Sequence, residues 1–173
     1  MTDAYDAVVY DLDGTLVRLA VDWEATAETI APILRDRGWD GDANDALDLL
    51  PIADELDARA AVDPHLEAAE VEGARQSERL PMLDEFVESD VPVGICSLNC
   101  EAACHEALDA HGVERSVGAV VGRDSVETRK PDPEPLLAAV SALDTKPERT
   151  LFVGDSDSDE VTANRAGTDF RRV

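Results

Sequence analysis

The chain has 173 residues, 44% of them hydrophobic, which is long and apolar enough to bury a sizeable core and excludes a disordered tail. It carries 39 Asp and Glu against 15 Lys and Arg, a net charge of −24, which argues against nucleic acid and anionic membranes as partners. No apolar run reaches the length of a membrane span, and residues 1–6 lack the basic start and apolar centre of a leader, so a cytoplasmic protein is expected.

The first strand is predicted over residues 7–10, a short apolar run ending at Asp11. Residues 23–37, 44–61 (with a break at Pro51) and 64–80 then read as helices, with no strand between them. A helix over 82–89 follows Pro81, a favoured residue at a helix start. The apolar run 91–96 is a second strand and ends at Ser97. A helix over 101–110 stops at His111-Gly112, and 117–121 is a third strand. Leu136, Leu137, Val140 and Leu143 recur at helical spacing within 135–143. The run 150–153 is a fourth strand, ending at Gly154-Asp155, and a helix over 159–166 ends at Gly167. Residues 169–173 form a weak fifth strand.

Short apolar runs without alternation fit strands buried on both faces, as in a parallel sheet. From Pro81 onward helices and strands alternate, the pattern of an α/β doubly wound sheet. The stretch before Pro81 breaks that pattern and reads as a helical insertion on top of the sheet.

Ligands of open parallel sheets bind beyond the carboxyl ends of the strands. Here those ends carry Asp11 and Asp13, Ser97, and Asp155 with Asp159. Carboxylates gathered without His or Cys suit Mg²⁺. Of two aspartates one residue apart, one can attack and the other exchange protons. Taken alone, Asp-x-Asp-Gly also fits a turn or part of a calcium loop, although the later Glu of such a loop is missing.

Four segments in order make the pattern specific. They are Asp11-Leu12-Asp13-Gly14-Thr15-Leu16, then Ser97 after an apolar strand, then Lys130 in Arg129-Lys130-Pro131-Asp132-Pro133, and then Gly154-Asp155-Ser156-Asp157-Ser158-Asp159. In these the chain resembles the haloacid dehalogenase superfamily, in its phosphatase branch. The resemblance implies a Rossmann-like core over residues 1–16 and 81–173, with a small helical cap over 17–80 inserted after the first strand. It implies that Asp11 is the nucleophile and Asp13 the acid and base. Ser97 and Lys130 would hold the phosphoryl oxygens. Mg²⁺ would be held by Asp11, the backbone carbonyl of Asp13 and Asp155, with Asp159 in support. The cap position implies a small phosphorylated metabolite, and the arrangement resembles phosphoglycolate phosphatase-like enzymes. Alternatives on the same core are a sugar phosphomutase and a non-catalytic binding protein. The active form is expected as a monomer or homodimer.

The resemblance also makes Asn99 a candidate for the phosphate, although Leu98 separates it from Ser97 where relatives have Asn directly after the hydroxyl, and Arg18 is a candidate for a distal anion of the substrate or a solvated surface residue. Cys96, Cys100 and Cys104 lack partners that would complete a zinc site and read as reduced thiols. The acidity fits adaptation to molar salt, where the screening length shrinks to about 3 Å.

Overall fold

In chain order the elements are β1 (Ala7–Tyr10), β2 (Val17–Arg18), α1 (Trp23–Arg35), α2 (Leu50–Glu55), α3 (Arg59–Arg75), β3 (Glu78–Arg79), α4 (Met82–Val87), β4 (Val93–Cys96), α5 (Glu101–Ala110), β5 (Ala119–Val121), α6 (Glu134–Ala142), β6 (Thr150–Gly154), α7 (Asp157–Ala166) and β7 (Asp169–Arg172). The computed structural model describes residues 5–173; residues 1–4, on which part of the leader reading falls, lie outside the described residues.

Every side chain of β1 is buried, which requires cover on both faces. The strand lies at the centre of a five-stranded sheet of order β5-β4-β1-β6-β7, and all its pairings are parallel. Val8 and Tyr10 face one side of the sheet with Ile95 and Val153, where Leu83 and Phe86 of α4 and Cys104 and Leu108 of α5 pack. The Tyr10 and Phe86 rings meet edge to face at 5.5 Å. Val9 faces the other side with Cys96 and Phe152, covered by Leu136 and Val140 of α6 and Ala163 of α7. The α/β doubly wound reading therefore describes the sheet. Among the described residues no helix is long and apolar enough to cross a membrane.

Between β1 and α4 the chain forms α1, a 3-10 turn at Ala46–Leu49, α2 and α3. Ile30 and Leu34 of α1 meet Leu49, Leu50, Val62 and Leu66 in an apolar cluster separate from the two sheet faces. Helix α3 takes part in both regions, because Ala74 near its end belongs to the core under the sheet.

The insertion differs in detail from its sequence reading. A two-residue antiparallel ribbon, β2 with β3, closes its base, where no strand was expected. Strands this short leave no periodicity to read. The helix expected to start at Pro64 instead starts at Arg59 and runs through that proline. The break falls at Asp57, whose φ of 49° leaves the helical region, rather than at Pro51, which sits in the first turn of α2 where a proline costs nothing.

Candidate active site

The chain reverses immediately after β1. The Leu12 carbonyl accepts the backbone N–H groups of Thr15, Leu16 and Val17, at 3.2, 2.9 and 3.2 Å. Gly14 adopts φ +86°, and a Cβ there would stand 2.3 Å from Asp155 Oδ2. Both facts require glycine. Gly14→Ala is expected to lower stability by roughly 1–2 kcal/mol through left-handed strain, read by denaturant unfolding, and to push the Asp155 carboxylate aside.

This turn points the Asp11 and Asp13 side chains to different partners. The Asp11 carboxylate is buried at the strand end, where Oδ1 accepts from Lys130 Nζ at 2.7 Å and Oδ2 from Thr15 Oγ1 at 3.3 Å. Burial raises its pKa to about 6; Lys130 pulls it down and Asp159 pushes it up again. Asp13 turns away, and its Oδ1 accepts the Leu19 N–H at 2.9 Å. Burial raises its pKa too, against the effect of that hydrogen bond.

Lys130 is 5% exposed, and its ammonium also donates to Asp159 Oδ1 at 2.6 Å. Burial works against its charge, but Asp11 and Asp159 hold its pKa above the usual lysine value. Asp159, 1% exposed, is fixed by a capping box at the start of α7. Its Oδ2 accepts from Ser156 N and Oγ at 3.1 and 2.7 Å, and Ser156 Oγ accepts the Asp159 N–H at 3.1 Å. Gly154 lets the carboxylate this close, since a Cβ there would be 2.5 Å from Asp159 Oδ2. Asp155 is solvent-exposed at the end of β6.

Ser97 follows β4 and is buried. Its Oγ donates to Asn99 Oδ1 at 3.0 Å and accepts the Asn99 N–H at 3.1 Å. All six predicted site residues, Asp11, Asp13, Ser97, Lys130, Asp155 and Asp159, line one cleft of about 140 Å³. Leu47, from the 3-10 turn of the insertion, reaches the same cleft. Asn99 lies there as well, whereas exposed Arg18 pairs with Glu78 across the ribbon at 3.3 Å.

Two charged residues escaped the sequence reading. Glu70 of α3 is fully buried and receives two hydrogen bonds from Arg123, at 2.6 and 2.9 Å. A signal was present: Val62, Leu66, Glu70 and Ala74 recur every four residues on the buried stripe of α3, which places a carboxylate where an apolar side chain belongs.

Asp11, Asp155 and Asp159 each offer a carboxylate oxygen within 4.8 Å of the others. Asp13 is outside this cluster, and its expected share in a metal site runs through the backbone carbonyl. Hard oxygen donors crowded this closely, with one ammonium among four carboxylates, fit a divalent cation of the Mg²⁺ kind. The three thiols are buried and unpaired with one another, and burial pushes those of Cys96 and Cys100 up to about 12, so they offer no thiolate ligand.

A family model described as haloacid dehalogenase-like hydrolase matches residues 67–173. The chain is 31% identical to a phosphoglycolate phosphatase of Cereibacter sphaeroides, over 94% of this chain and 82% of the relative. Among solved structures it is similar to a HAD-superfamily hydrolase of subfamily IA from Geobacter sulfurreducens, with a TM-score of 0.66, 23% identity, and coverage of 96% of this chain and 88% of the other. A β-phosphoglucomutase from Clostridium difficile shares the fold with a TM-score of 0.69 at 15% identity, covering 96% of this chain and 83% of the other.

Proposed function

The chain belongs to the haloacid dehalogenase-like hydrolase family, and on that premise we propose that it is a Mg²⁺-dependent phosphatase of small phosphorylated metabolites that works through an aspartyl-phosphate. One observation carries the reading: a buried carboxylate, Asp11, is held at 2.7 Å from an ammonium and beside two further carboxylates in a cleft that also contains Asp13 and Ser97.

Asp11 attacks phosphorus in line with the leaving oxygen. Lys130 and Ser97 hold the equatorial oxygens, whose charge must be neutralised in phosphoryl transfer. Asp13 protonates the leaving oxygen, then takes the proton of the water that hydrolyses the aspartyl-phosphate. Its raised pKa suits the first of these tasks, and the Leu19 N–H keeps it aimed away from Asp11. A bound Mg²⁺, held by Asp11, Asp155 and the Asp13 carbonyl with support from Asp159, supplies compensation for the repulsion between carboxylate and phosphate.

Residues 17–80 act as a cap in this reading, with residues 1–16 and 81–173 as the catalytic core. Leu47 is the cap's side chain at the reacting centre, and it excludes water there. An adjoining open cleft of about 560 Å³, lined by Leu50, Pro51, Arg129 and Arg165, leaves room for the organic part of a small ester. Phosphoglycolate is the first substrate to try, because a relative at 31% identity carries that activity in its name. The unpaired thiols fit the reducing cytoplasm, and the charge of −24 fits a cytoplasm of molar salt.

The test is phosphate release from p-nitrophenyl phosphate and from a panel of phosphorylated metabolites in high salt, with Mg²⁺ and with EDTA. Release that persists unchanged in EDTA refutes the metal assignment. A binding readout stands beside it. Mg²⁺ at about a hundred times its Kd stabilises the fold by about 2.7 kcal/mol, worth roughly 5–10 °C in Tm for a chain of this length. Asp155→Ala, at an exposed position, is expected to abolish that rise without unfolding the protein.

A further inference from the structure

Ser97 carries no charge, and the side chains that fix it begin in the insertion. Asn99 Nδ2 donates to Glu70 Oε1 at 3.2 Å, and the Cys100 N–H donates to Glu70 Oε2 at 3.3 Å. Arg123 grips the same loop from the other side: its guanidinium donates to the Leu98 carbonyl at 2.8 Å, and its backbone N–H donates to the Asn99 carbonyl at 2.8 Å. Segment 97–100 is thus wrapped around one buried ion pair. A carboxylate only accepts hydrogen bonds, so Asn99 must turn its amide nitrogen to Glu70 and its oxygen to Ser97.

We infer that the Glu70–Arg123 pair is a positioning device for the phosphoryl site: from helix α3 and the loop after β5 it sets the place of Ser97 through Asn99. This rests on the reading of Ser97 as a phosphoryl ligand. The geometry favours it over a merely structural staple. A staple between α3 and the core needs only the two charges, whereas here both partners spend hydrogen bonds on the loop that carries Ser97. The consequence is that the seating of α3, part of the insertion, governs phosphate affinity.

The test uses titration of inorganic phosphate in the presence of Mg²⁺, followed by calorimetry, so that turnover is not required. Removing one charge alone leaves the other buried and unpaired and threatens folding. The informative variant is therefore Glu70→Leu/Arg123→Met, which removes both. It is expected to fold and to bind phosphate about tenfold more weakly, about 1.4 kcal/mol. Glu70→Gln/Arg123→Met restores an acceptor for the Asn99 amide and is expected to recover most of the loss. In a Ser97→Ala background the same pair of changes is expected to weaken phosphate binding no further, because the pair acts through Ser97. Wild-type affinity in the folded Leu/Met variant, or losses that simply add to that of Ser97→Ala, overturns the inference. Should the Leu/Met variant fail to fold, Asn99→Leu, which cuts the link from Glu70 to Ser97 and leaves the ion pair intact, carries the same decision: it is expected to weaken phosphate binding about tenfold in the Ser97 protein and no further in a Ser97→Ala background, and wild-type affinity or additive losses overturn the inference. Absence of phosphate binding by the wild type overturns the phosphatase reading itself and this inference with it.

Discussion

Asp11→Asn is expected to remove phosphate release from p-nitrophenyl phosphate by roughly 10⁴-fold or more, the scale at which enzymes lose activity when a nucleophile is replaced. The fold should survive. Asparagine has the same shape, and its carbonyl oxygen still accepts from Lys130, which donates to Asp11 at 2.7 Å. Stability should even favour the variant at alkaline pH without Mg²⁺. Burial raises the pKa of Asp11 to about 6, so the folded state disfavours its charge. A group with a raised folded-state pKa contributes stability that is fully present below its unfolded value, near 4, and lost as pH rises through about 6. The variant has no such charge. Melting temperatures in EDTA should therefore show it at least as stable as the wild type at pH 8, with the difference closing toward pH 4. Equal rates of phosphate release by the two proteins would sink the mechanism.

Lys130→Met should be damaging in both respects. The ammonium is the only side-chain cation lining the cleft among the described residues, and it bridges Asp11 and Asp159 at 2.7 and 2.6 Å. Losing one donor to a developing oxyanion costs roughly 10²–10³ in rate, and a charged donor in a water-poor site belongs at the upper end. Breaking a buried pair from one side costs about 3–5 kcal/mol. That loss has a definite pH dependence. Without Lys130 the pKa of Asp11 rises further, so the destabilisation is full at pH 7 and shrinks as the carboxylate protonates toward pH 4. Denaturant unfolding at both pH values measures it. Added Mg²⁺ should return part of the stability of the variant but little of its rate, because the cation offsets the carboxylates without replacing the donor to phosphate. A variant equally unstable at both pH values would remove Asp11 from the explanation.

Much of this architecture was legible in the sequence because β1 is buried on both faces: an unalternating run such as Ala7–Tyr10 has few other homes, and the residue that follows it must emerge at the sheet's carboxyl edge. The same reasoning brought Ser97, Asp155 and Asp159 toward Asp11, the family resemblance alone added Lys130, and all of them line one cleft. The division of hydrogen bonds was not legible. That Asp13 turns to Leu19, or that Asp159 both completes the capping box of α7 and accepts from Lys130, depends on rotamers set by neighbours distant in the chain. Glu70 was hidden among Glu67 and Glu72, which resemble it in every local respect. Only its place on the stripe with Leu66 and Ala74 distinguishes it, and that stripe is weak because α3 divides its burial between two apolar clusters. The ribbon of β2 and β3 is too short to have any pattern of its own.

The central position of β1 also orders events during synthesis. The strand leaves the ribosome first, yet Val8 pairs with Val93 on one side and Leu151 on the other, so its second neighbour arrives roughly 140 residues later. At roughly 5–20 residues per second that is a wait of about 7–30 s. The helices of the insertion emerge in the meantime, and their own cluster around Ile30, Leu34 and Leu66 gives them something to fold onto. Until β6 is made, β1 therefore has only β4 to pair with, and its other edge stays open. During that interval the acidic surplus already present in the emerging chain favours keeping the open strand edges of neighbouring molecules apart before the sheet can close.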